Sequence, residues 1–324
     1  MAAPTSLAPL DPDRALDVLA LGEALIEFNQ VQAEPPMYLQ GFGGDTSNAI
    51  IAAARAGART GYLSRVGDDG WADRLLQLWR EEGVGTQGVR RMPGQRTGLY
   101  FVHHDAAGHR FSYARAGSAA SQMSVDDVRD HWADLIAQSH WLHVSGISLA
   151  ISDSARAATL AAMRLARARG TRVALDTNLR LSLWSLDQAR ASLVQAMADC
   201  DLLLPSLEDM VQLTDLTEPE AIARWCHGQG VATVVLKLGP EGALISQGGR
   251  VSRVPGRSVT AVDATGAGDC FCGNLLARLV AGDALGQAAL WANAAAALSV
   301  QGRGAIAPLP RAEQVRLALD RADL

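Results

Sequence analysis

The sequence predicts an α/β protein whose mostly parallel sheet is covered by helices on both faces. Short apolar runs, typical of buried strands, alternate along the chain with longer segments that have the apolar spacing of helices. Two glycines and an acid also stand where an apolar, β-rich run at residues 258–262 leads into an amphipathic run ending near residue 280. With 324 residues, the chain can form one large α/β domain, or two smaller ones, with a sizeable core.

The individual elements follow from run length and from flanking residues. Predicted strands fall at residues 17–22, 59–67, 140–146, 171–178, 200–206 and 231–239. Predicted helices fall at residues 45–58, 69–83, 152–170 and 185–199, and the Ala-rich segment 289–300 fits a buried helix. Because strands that are separated by helices usually pair in parallel, this order favours a parallel sheet.

One region departs from the alternation. Residues 97–120 contain two alternating apolar runs around a turn signal, which predicts a β-hairpin, and residues 24–44 can supply further strands. We therefore expect a small β lid with strands drawn from about 24–44 and 97–118, although a purely ornamental hairpin is the alternative. Residues 1–16 are expected to form a flexible tail, and residues 17–324 the folded domain.

Composition excludes several classes of function. The net charge of −5 gives no general attraction for nucleic acid or for an anionic membrane. No run of about 18 uncharged apolar residues could span a bilayer, and the N-terminal residues lack the basic and apolar regions of a secretory signal. The four cysteines show no metal-ligand spacing, so we expect reduced thiols and a cytoplasmic protein.

The glycines of the "TGAGD" segment suggest an anion site. A helix N-terminus exposes unpaired backbone N–H groups and carries partial positive charge, which attracts phosphate. Gly266 and Gly268 allow a ligand to approach the backbone closely. The N–H groups of Ala267, Gly268 and Asp269 could then cradle a phosphoryl group, with the Asp269 carboxylate at the same point. The alternative is that Asp269 only caps the helix.

Two other nucleotide-binding motifs are missing. A P-loop needs a lysine after its second glycine, but the chain's single lysine, Lys237, lies in "VVLKLGPEGA" outside any such loop. The segment "GFGGDTSNA" lacks the third glycine of the dinucleotide fingerprint and does not follow the first predicted strand directly.

Taken together, the motifs resemble a known family. "DATGAGDCFCG" at 263–273 resembles the C-terminal signature of the ribokinase-like (PfkB) carbohydrate kinases, and residues 43–75 resemble their N-terminal signature. The resemblance runs from about residue 18 to 308 and implies a three-layer αβα core with a small β lid. Stretches such as "TGLYFV" and "DTNLRLSLW" are similar to those of 2-keto-3-deoxygluconate kinases.

This resemblance implies transfer of the γ-phosphoryl group of ATP to a sugar hydroxyl. Asp269 would act as the base, its pKa lowered by the helix N-terminus, and the backbone of Gly266, Ala267 and Gly268 would form the anion hole. The resemblance implies that Mg²⁺ would bridge the phosphates through waters. The family's acidic motif is usually Asn-x-x-Glu. Here that motif is Ser206-Leu207-Glu208-Asp209, which leaves the magnesium-supporting acid open between Glu208 and Asp209.

The resemblance also implies which residues bind the nucleotide. Residues 237–242 would lie on the phosphate and ribose side, and Asn293 near the adenine, unless Asn293 is a buried packing amide. A monovalent cation is compatible with this family. The nucleotide-binding residues expected on this basis are Asn178, Ser206, Lys237, Gly239, Gly242 and Asn293.

For the acceptor, the resemblance and the charges favour a sugar acid. The carboxylate of 2-keto-3-deoxygluconate needs arginine or clustered N–H donors, and Arg115 and Arg180 supply positive charge, unless either is a plain surface residue. A neutral sugar, a nucleoside or a non-catalytic relative are the alternatives. The expected acceptor-binding residues are Gly43, Gly44, Asp45, Asn48, Tyr100, Tyr113, Arg115 and Arg180. A homo-oligomer formed through the lid is also expected.

Overall fold

A computed structural model describes residue 11, residues 13–105 and residues 108–321. The described chain forms thirteen strands in two sheets. In chain order the strands are β1 (Leu16–Leu21), β2 (Leu25–Gln32), β3 (Met37–Gly43), β4 (Thr60–Val66), β5 (Val84–Arg91), β6 (Leu99–Asp105), β7 (Gly108–Ala114), β8 (Ser139–Ser145), β9 (Arg172–Asp176), β10 (Leu202–Leu203), β11 (Thr233–Lys237), β12 (Gly242–Gln247) and β13 (Arg250–Pro255).

Helices make most of the connections between the strands of the large sheet. They are α1 (Asp45–Arg55), α2 (Gly70–Glu81), α3 (Val125–Asp127), α4 (Ala133–Ala137), α5 (Gly146–Ala150), α6 (Asp153–Ala168), α7 (Leu186–Met197), α8 (Leu207–Thr214), α9 (Pro219–Gly228), α10 (Ala267–Val280), α11 (Leu285–Ser299) and α12 (Ala312–Asp320). Across the described residues, no helix is both long enough and apolar enough to cross a bilayer.

The large sheet has the strand order β13-β12-β11-β10-β9-β8-β1-β4-β5. Every pairing from β5 to β11 is parallel, and β12 and β13 are antiparallel additions at one edge. The chain order reverses between β1 and β8. In open parallel sheets, ligands bind beyond the carboxyl ends of the strands at such a switch point, so this edge is where a site is expected.

The sheet is buried on both faces, which confirms the three-layer α/β prediction. Along β1, Val18 and Ala20 belong to one apolar cluster, and Leu19 and Leu21 belong to the other. The first cluster lies under α1, α2, α10 and α11, and the second lies under α6 to α9. Residues buried on alternate faces make the strands continuous apolar runs, and this is why the runs could be found in the sequence.

The small sheet has the order β3-β2-β6-β7 and is built from the two segments proposed for a lid. Strands β6 and β7 pair antiparallel with Tyr100 opposite Tyr113, and residues 106–107 of the predicted turn lie outside the described residues. Phe28 stacks on Phe101 at 5.1 Å and meets Trp71 of α2 edge-on at 5.4 Å. One face of the small sheet therefore packs on the core, which leaves the opposite face, with Tyr100, towards the cleft.

Two boundary predictions were wrong. Residues 258–262 are an irregular loop rather than a strand, so α10 follows a loop that begins after β13. Val259 and Val262 are exposed there, so their β propensity has no sheet partner or core to pack against. Of the segment expected as a strand at 200–206, only Leu202–Leu203 forms one, and Ser206 adds an isolated bridge to Lys237.

The predicted tail at 1–16 falls mostly outside the described residues. Within the described part, Arg14 donates a hydrogen bond of 2.6 Å to the Thr171 hydroxyl, and β1 already begins at Leu16. The packed domain therefore extends a few residues further towards the N-terminus than expected.

Candidate active site

Two adjoining cavities lie at the carboxyl edge of the large sheet, and Ala264 and Gly268 line both of them. The larger cavity has a volume of about 770 Å³ and lies between this edge and the small sheet. The smaller, of about 280 Å³, lies between the loop after β13 and helix α11. The predicted residues that line the larger cavity are Gly43, Gly44, Asp45, Asn48, Tyr100, Tyr113, Arg115, Asn178, Arg180, Ser206, Glu208, Asp209, Gly266, Gly268 and Asp269. Those that line the smaller are Lys237, Gly239, Gly242, Ala267, Gly268 and Asn293.

The N-terminus of α10 lies where the two cavities meet. Gly266 is the N-cap residue and has a φ of 76°, in the left-handed region that favours glycine. Asp269 lies in the first turn, and no side chain caps this helix. The capping alternative for Asp269 is therefore wrong: its Oδ2 instead accepts a hydrogen bond of 2.8 Å from Nδ2 of Asn48.

Close packing of α1 against α10 brings Asn48 to Asp269. Gly273, one turn after Asp269, has no room for a side chain, because an added Cβ would lie 2.0 Å from the Ala49 carbonyl oxygen. The backbones of the two helices can approach this closely only with glycine at that position. The motif "GAGDCFCG" therefore fixes the position of the acid as well as the shape of the turn.

The pKa of Asp269 is raised to about 7, mainly by burial. The nearby Asp45 carboxylate also raises this pKa, and its effect is larger than the opposite effect of the Asn48 hydrogen bond. This corrects the expectation of a lowered pKa. The helix N-terminus does favour the ionised form, but desolvation and like charges outweigh it here. A carboxylate with a pKa near 7 is well matched to accept a proton at neutral pH.

Asp45 is held by a residue from the other side of the switch point. Nδ2 of Asn178 donates a hydrogen bond of 2.9 Å to Oδ2 of Asp45, and Asn178 has a positive φ of 28°. Oδ1 of Asp45 and Oδ1 of Asn48 are buried and have no hydrogen-bond partner within the described part of the chain. Two residues that line the cleft therefore each carry a buried acceptor oxygen whose hydrogen bond is unmade in the described structure.

Lys237 lies beneath the turn that begins α10. Its Nζ forms an ion pair of 2.8 Å with Oδ2 of Asp176 and lies 3.6 Å from Sγ of Cys272. A Cβ added at Gly268 would lie 3.3 Å from the same ammonium group. Burial opposes the charge on Lys237, but the Asp176 carboxylate raises the pKa of this lysine above its ordinary value, so the lysine stays charged.

The two acids considered for magnesium differ in their surroundings. Glu208 is exposed in the cleft, whereas Asp209 is buried and accepts a hydrogen bond of 2.9 Å from the Thr177 hydroxyl. Burial raises the pKa of Asp209, and the Asp176 carboxylate adds to that effect. Ser206 caps α8 through a hydrogen bond from the Asp209 N–H. In the described ranges no three acids, histidines or cysteines form a ready-made metal cage.

Arg115 is not free in the cleft. Its Nε donates to Oε2 of Glu23 at 2.8 Å, and the same carboxylate accepts a hydrogen bond from Ser118. Glu23 is almost completely buried, and it forms an ion pair with Arg115. The negative charge of the carboxylate therefore offsets the positive charge of the arginine. Sequence analysis missed Glu23; the signal available was the "GE" pair directly after the first predicted strand.

Tyr100 and Tyr113 behave differently although they pair across β6 and β7. Tyr100 is buried and its hydroxyl donates to the Glu27 carboxylate, whereas Tyr113 is 45% exposed. Burial raises the pKa of Glu27, and the Tyr100 hydrogen bond only partly opposes this. The hydroxyl of Tyr100 is thus already engaged, while Tyr113 presents its ring to the cleft.

A profile of the pfkB family carbohydrate kinases matches residues 15–312. The chain belongs to this family. A 2-dehydro-3-deoxygluconokinase from Thermoproteus tenax is 36% identical over 316 residues, which cover 94% of this chain and 95% of that protein. A fructokinase from Vibrio alginolyticus is 32% identical over 83% of this chain and 88% of its own. A crystal structure of an E. coli protein assigned as a ribokinase II, in complex with ATP and Mg²⁺, has a TM-score of 0.85 at 26% identity, covering 94% of this chain and 99% of that one.

The protein is therefore an ATP-dependent carbohydrate kinase with the ribokinase-like fold. Two adjoining cavities suit a member of this kinase family, because a phosphoryl group must pass from one substrate to the other. In this PfkB kinase, Asn293 lines the smaller cavity, but its Nδ2 donates to the carbonyl oxygens of Val254 at 3.2 Å and Pro255 at 3.0 Å. The amide therefore fixes the end of β13, as the packing alternative expected, at the wall of that cavity.

Proposed function

We propose that this kinase phosphorylates 2-keto-3-deoxygluconate, also called 2-dehydro-3-deoxygluconate, on its C6 hydroxyl. The products are 2-keto-3-deoxy-6-phosphogluconate and ADP. The observation that carries this proposal is Arg180, an exposed arginine in the wall of the larger cavity. Its one hydrogen bond to the described residues goes to the Leu179 carbonyl oxygen, so its charge is free for the carboxylate of a sugar acid.

The acceptor occupies the larger cavity in this proposal. Its C6 hydroxyl lies at Asp269, and its carboxylate lies towards Arg180 and the lid. The unpaired oxygens of Asp45 and Asn48 accept hydrogen bonds from the hydroxyl groups between these ends. Tyr113 packs its ring on the carbon chain, and the backbone of Gly43 and Gly44 allows close approach.

ATP occupies the smaller cavity, with the γ-phosphoryl group at the N-terminus of α10. The backbone of Gly239 and Gly242 and the side chain of Lys237 line the phosphate and ribose side. The bond between the C6 oxygen and the γ-phosphorus forms as the bond from the γ-phosphorus to the β,γ-bridging oxygen breaks, and that oxygen leaves with ADP. Asp269 takes the proton of the C6 hydroxyl, and the first N–H groups of α10 hold the charge on the phosphoryl group.

Mg²⁺, when bound with the nucleotide, supplies charge neutralisation at the phosphates. Glu208 and Asp209 are the residues that would hold it, and the lack of a ready-made cage within the described residues fits indirect binding through waters. Asn178 and Ser206 lie on the same wall of the cleft. A monovalent cation is compatible with this proposal but has no residue assigned to it.

Arg115 has a more limited role than its sequence context suggested. Glu23 engages its Nε and one terminal nitrogen, and its other terminal nitrogen can still donate to a carboxylate. Because Glu23 offsets the charge, the contribution of Arg115 is a directed hydrogen bond rather than an unopposed cation. Arg180 therefore carries most of the charge selection.

Fructose is the second candidate acceptor. The Glu23–Arg115 ion pair favours it, because a lid arginine whose charge is already offset suits a neutral sugar. The fructokinase relative is also consistent with a neutral ketose in this family. The sugar acid is proposed ahead of fructose because the charge of Arg180 has no paired acid among the described residues.

The test is a substrate panel on the wild type and two arginine variants. We expect kcat/KM for 2-keto-3-deoxygluconate to exceed that for fructose and ribose. Arg180→Ala should reduce kcat/KM for the acid roughly 10- to 150-fold, mainly through KM, as expected for loss of a charge-assisted hydrogen bond of about 1.5–3 kcal/mol. Arg115→Ala should have the smaller effect of the two on acid selectivity.

The matched control is Arg96→Ala, which removes an exposed arginine outside both cavities and should leave the preference unchanged. If fructose or ribose is the best substrate of the wild type, the sugar-acid proposal is wrong and the carbohydrate kinase assignment stands. If Arg180→Ala weakens acid and neutral sugars equally, Arg180 does not bind the carboxylate.

A further inference from the structure

Arg257 is a partly buried arginine in the wall of the smaller cavity. It lies two residues after β13, on the loop that leads to α10. One terminal nitrogen of its guanidinium is buried and has no hydrogen-bond partner among residues 13–105 and 108–321. A buried N–H group without a partner is costly, so native structures rarely retain one unless a ligand completes it.

The nearest acids along the chain are engaged elsewhere. Glu241 is within 3.9 Å of Arg253, which also pairs with Glu220 at 3.1 Å. The carboxylate of Asp263 accepts hydrogen bonds of 2.9 Å from the backbone N–H groups of Thr265 and Gly304. Within the described residues, no ion pair joins Arg257 to Glu241, whose partner is Arg253.

The positive charge of Lys237, the other cation of the smaller cavity, is already offset. Lys237 pairs with Asp176 at 2.8 Å, whereas no described residue forms an ion pair with Arg257. The remainder of the wall is formed mainly by glycine, alanine and valine backbone and side chains. Arg257 thus contributes an unopposed positive charge to an otherwise mostly apolar cavity.

The backbone directly before Arg257 is held rigidly. An added Cβ at Gly256 would lie 2.1 Å from the Pro240 carbonyl oxygen, and the Gly256 N–H donates to the Glu241 carbonyl oxygen at 3.0 Å. The Asn293 amide binds the carbonyl oxygens of Val254 and Pro255. These contacts fix the base of the arginine against the Gly239–Gly242 wall, so part of the ordering cost of binding is met before a ligand arrives.

We propose that Arg257 binds phosphate oxygens of the nucleotide and is a determinant of affinity for ATP. A guanidinium group is planar and presents paired N–H donors that match phosphate geometry. Phosphate fits better than the neutral base, because the N-terminus of α10, which attracts anions, lines the same cavity. This inference rests on the proposal that the smaller cavity binds ATP.

Binding of ATP, ADP and adenosine, measured by calorimetry on the full chain, separates phosphate from base. Arg257→Ala should weaken ATP and ADP roughly 10- to 100-fold and leave adenosine unchanged. KM for the sugar should stay within about twofold, because Arg257 does not line the larger cavity. Arg257→Lys, which keeps the charge and loses the paired donors, should give an intermediate loss.

Arg250→Ala is the control, since Arg250 is exposed on β13 and lies outside both cavities. Equal weakening of adenosine and ATP would overturn the phosphate contact in favour of the base. Unchanged ATP affinity in both Arg257 variants would overturn the proposal outright. If Arg257→Ala fails to fold, Arg257→Lys alone decides between these outcomes. Wild type that binds ATP but phosphorylates no sugar would count against the proposed function instead.

Discussion

In the proposed mechanism, in which Asp269 is the base, the pKa of Asp269 sets the pH dependence of this kinase. With a pKa of about 7, the base is ionised in about 9% of molecules at pH 6, 50% at pH 7 and 91% at pH 8. Only the ionised form accepts the proton of the sugar hydroxyl, so kcat/KM should fall about tenfold between pH 8 and pH 6. The kcat/KM profile is the correct observable, because it reports the ionisation of the free enzyme.

Asp45→Asn tests whether the neighbouring carboxylate is a cause of the raised pKa of Asp269. After burial, the Asp45 carboxylate is the largest contribution that raises the pKa of Asp269. The amide removes this charge but keeps an oxygen that can accept the hydrogen bond from Asn178. The acid limb of the profile should therefore move to lower pH in Asp45→Asn, with sugar KM followed separately because Asp45 also lines the cleft.

Either of two results would refute this reasoning. A wild-type profile that is flat from pH 5.5 to 8 would mean that no base with a pKa near 7 limits the reaction. An acid limb that stays in place in Asp45→Asn would mean that burial alone, rather than the neighbouring carboxylate, determines the pKa. Asp17→Asn is a suitable control, because Asp17 pairs with Arg59 away from both cavities.

Three further predictions concern the base and the assembly. Asp269→Asn should lower kcat by roughly 10²- to 10⁴-fold with little change in ATP affinity, and a variant that keeps near wild-type kcat would show that Asp269 is not the base. A carboxyl group whose folded pKa is raised destabilises the fold increasingly from its unfolded pKa up to about pH 7, so Asp269→Asn should also raise Tm at pH 8 and much less at pH 4. If the protein assembles through its lid, Leu39→Glu, which charges a 65% exposed apolar side chain on β3, should lower the mass measured by light scattering, whereas Leu317→Glu on α12 should not.

Much of the architecture could be predicted because the large sheet is buried on both faces. Its parallel strands are continuous apolar runs, and the helices between them have regular apolar spacing. The edge pair β12 and β13 was missed, since β13 is mostly exposed and lacks such a run. The loop at 258–262 was predicted as a strand because Val and Thr favour strands, although no neighbouring strand is there to pair with it.

For the candidate site, the sequence suggested residues but not the pairings between them. The predicted residues line two adjoining cavities, as the order of the motifs in the chain suggested. However, the partner of Arg115 is Glu23, 92 positions earlier in the chain, and the partner of Asn48 is Asp269, 221 positions later. Contacts over such distances depend on tertiary packing, which local sequence patterns do not specify. The pKa of Asp269 was misjudged for the same reason, because its largest causes are burial and the carboxylate of another helix.

In the proposed mechanism, the charge balance of the site gives distant arginines a role in a reaction centred on Asp269. Four carboxylates converge at the edge of the sheet, and the described partners of three are neutral donors that leave the negative charge in place. These three are Asp45, Asp209 and Asp269, and the fourth, Asp176, is offset by Lys237. Such a centre repels both ATP and a sugar acid. Two arginines on the outer walls have no paired acid among the described residues: Arg180 on the acceptor side and Arg257 on the nucleotide side. Each can attract the anionic substrate on its own side. The carboxylates can then maintain a strong base between two anionic substrates, with Mg²⁺ offsetting the charge that the arginines do not reach.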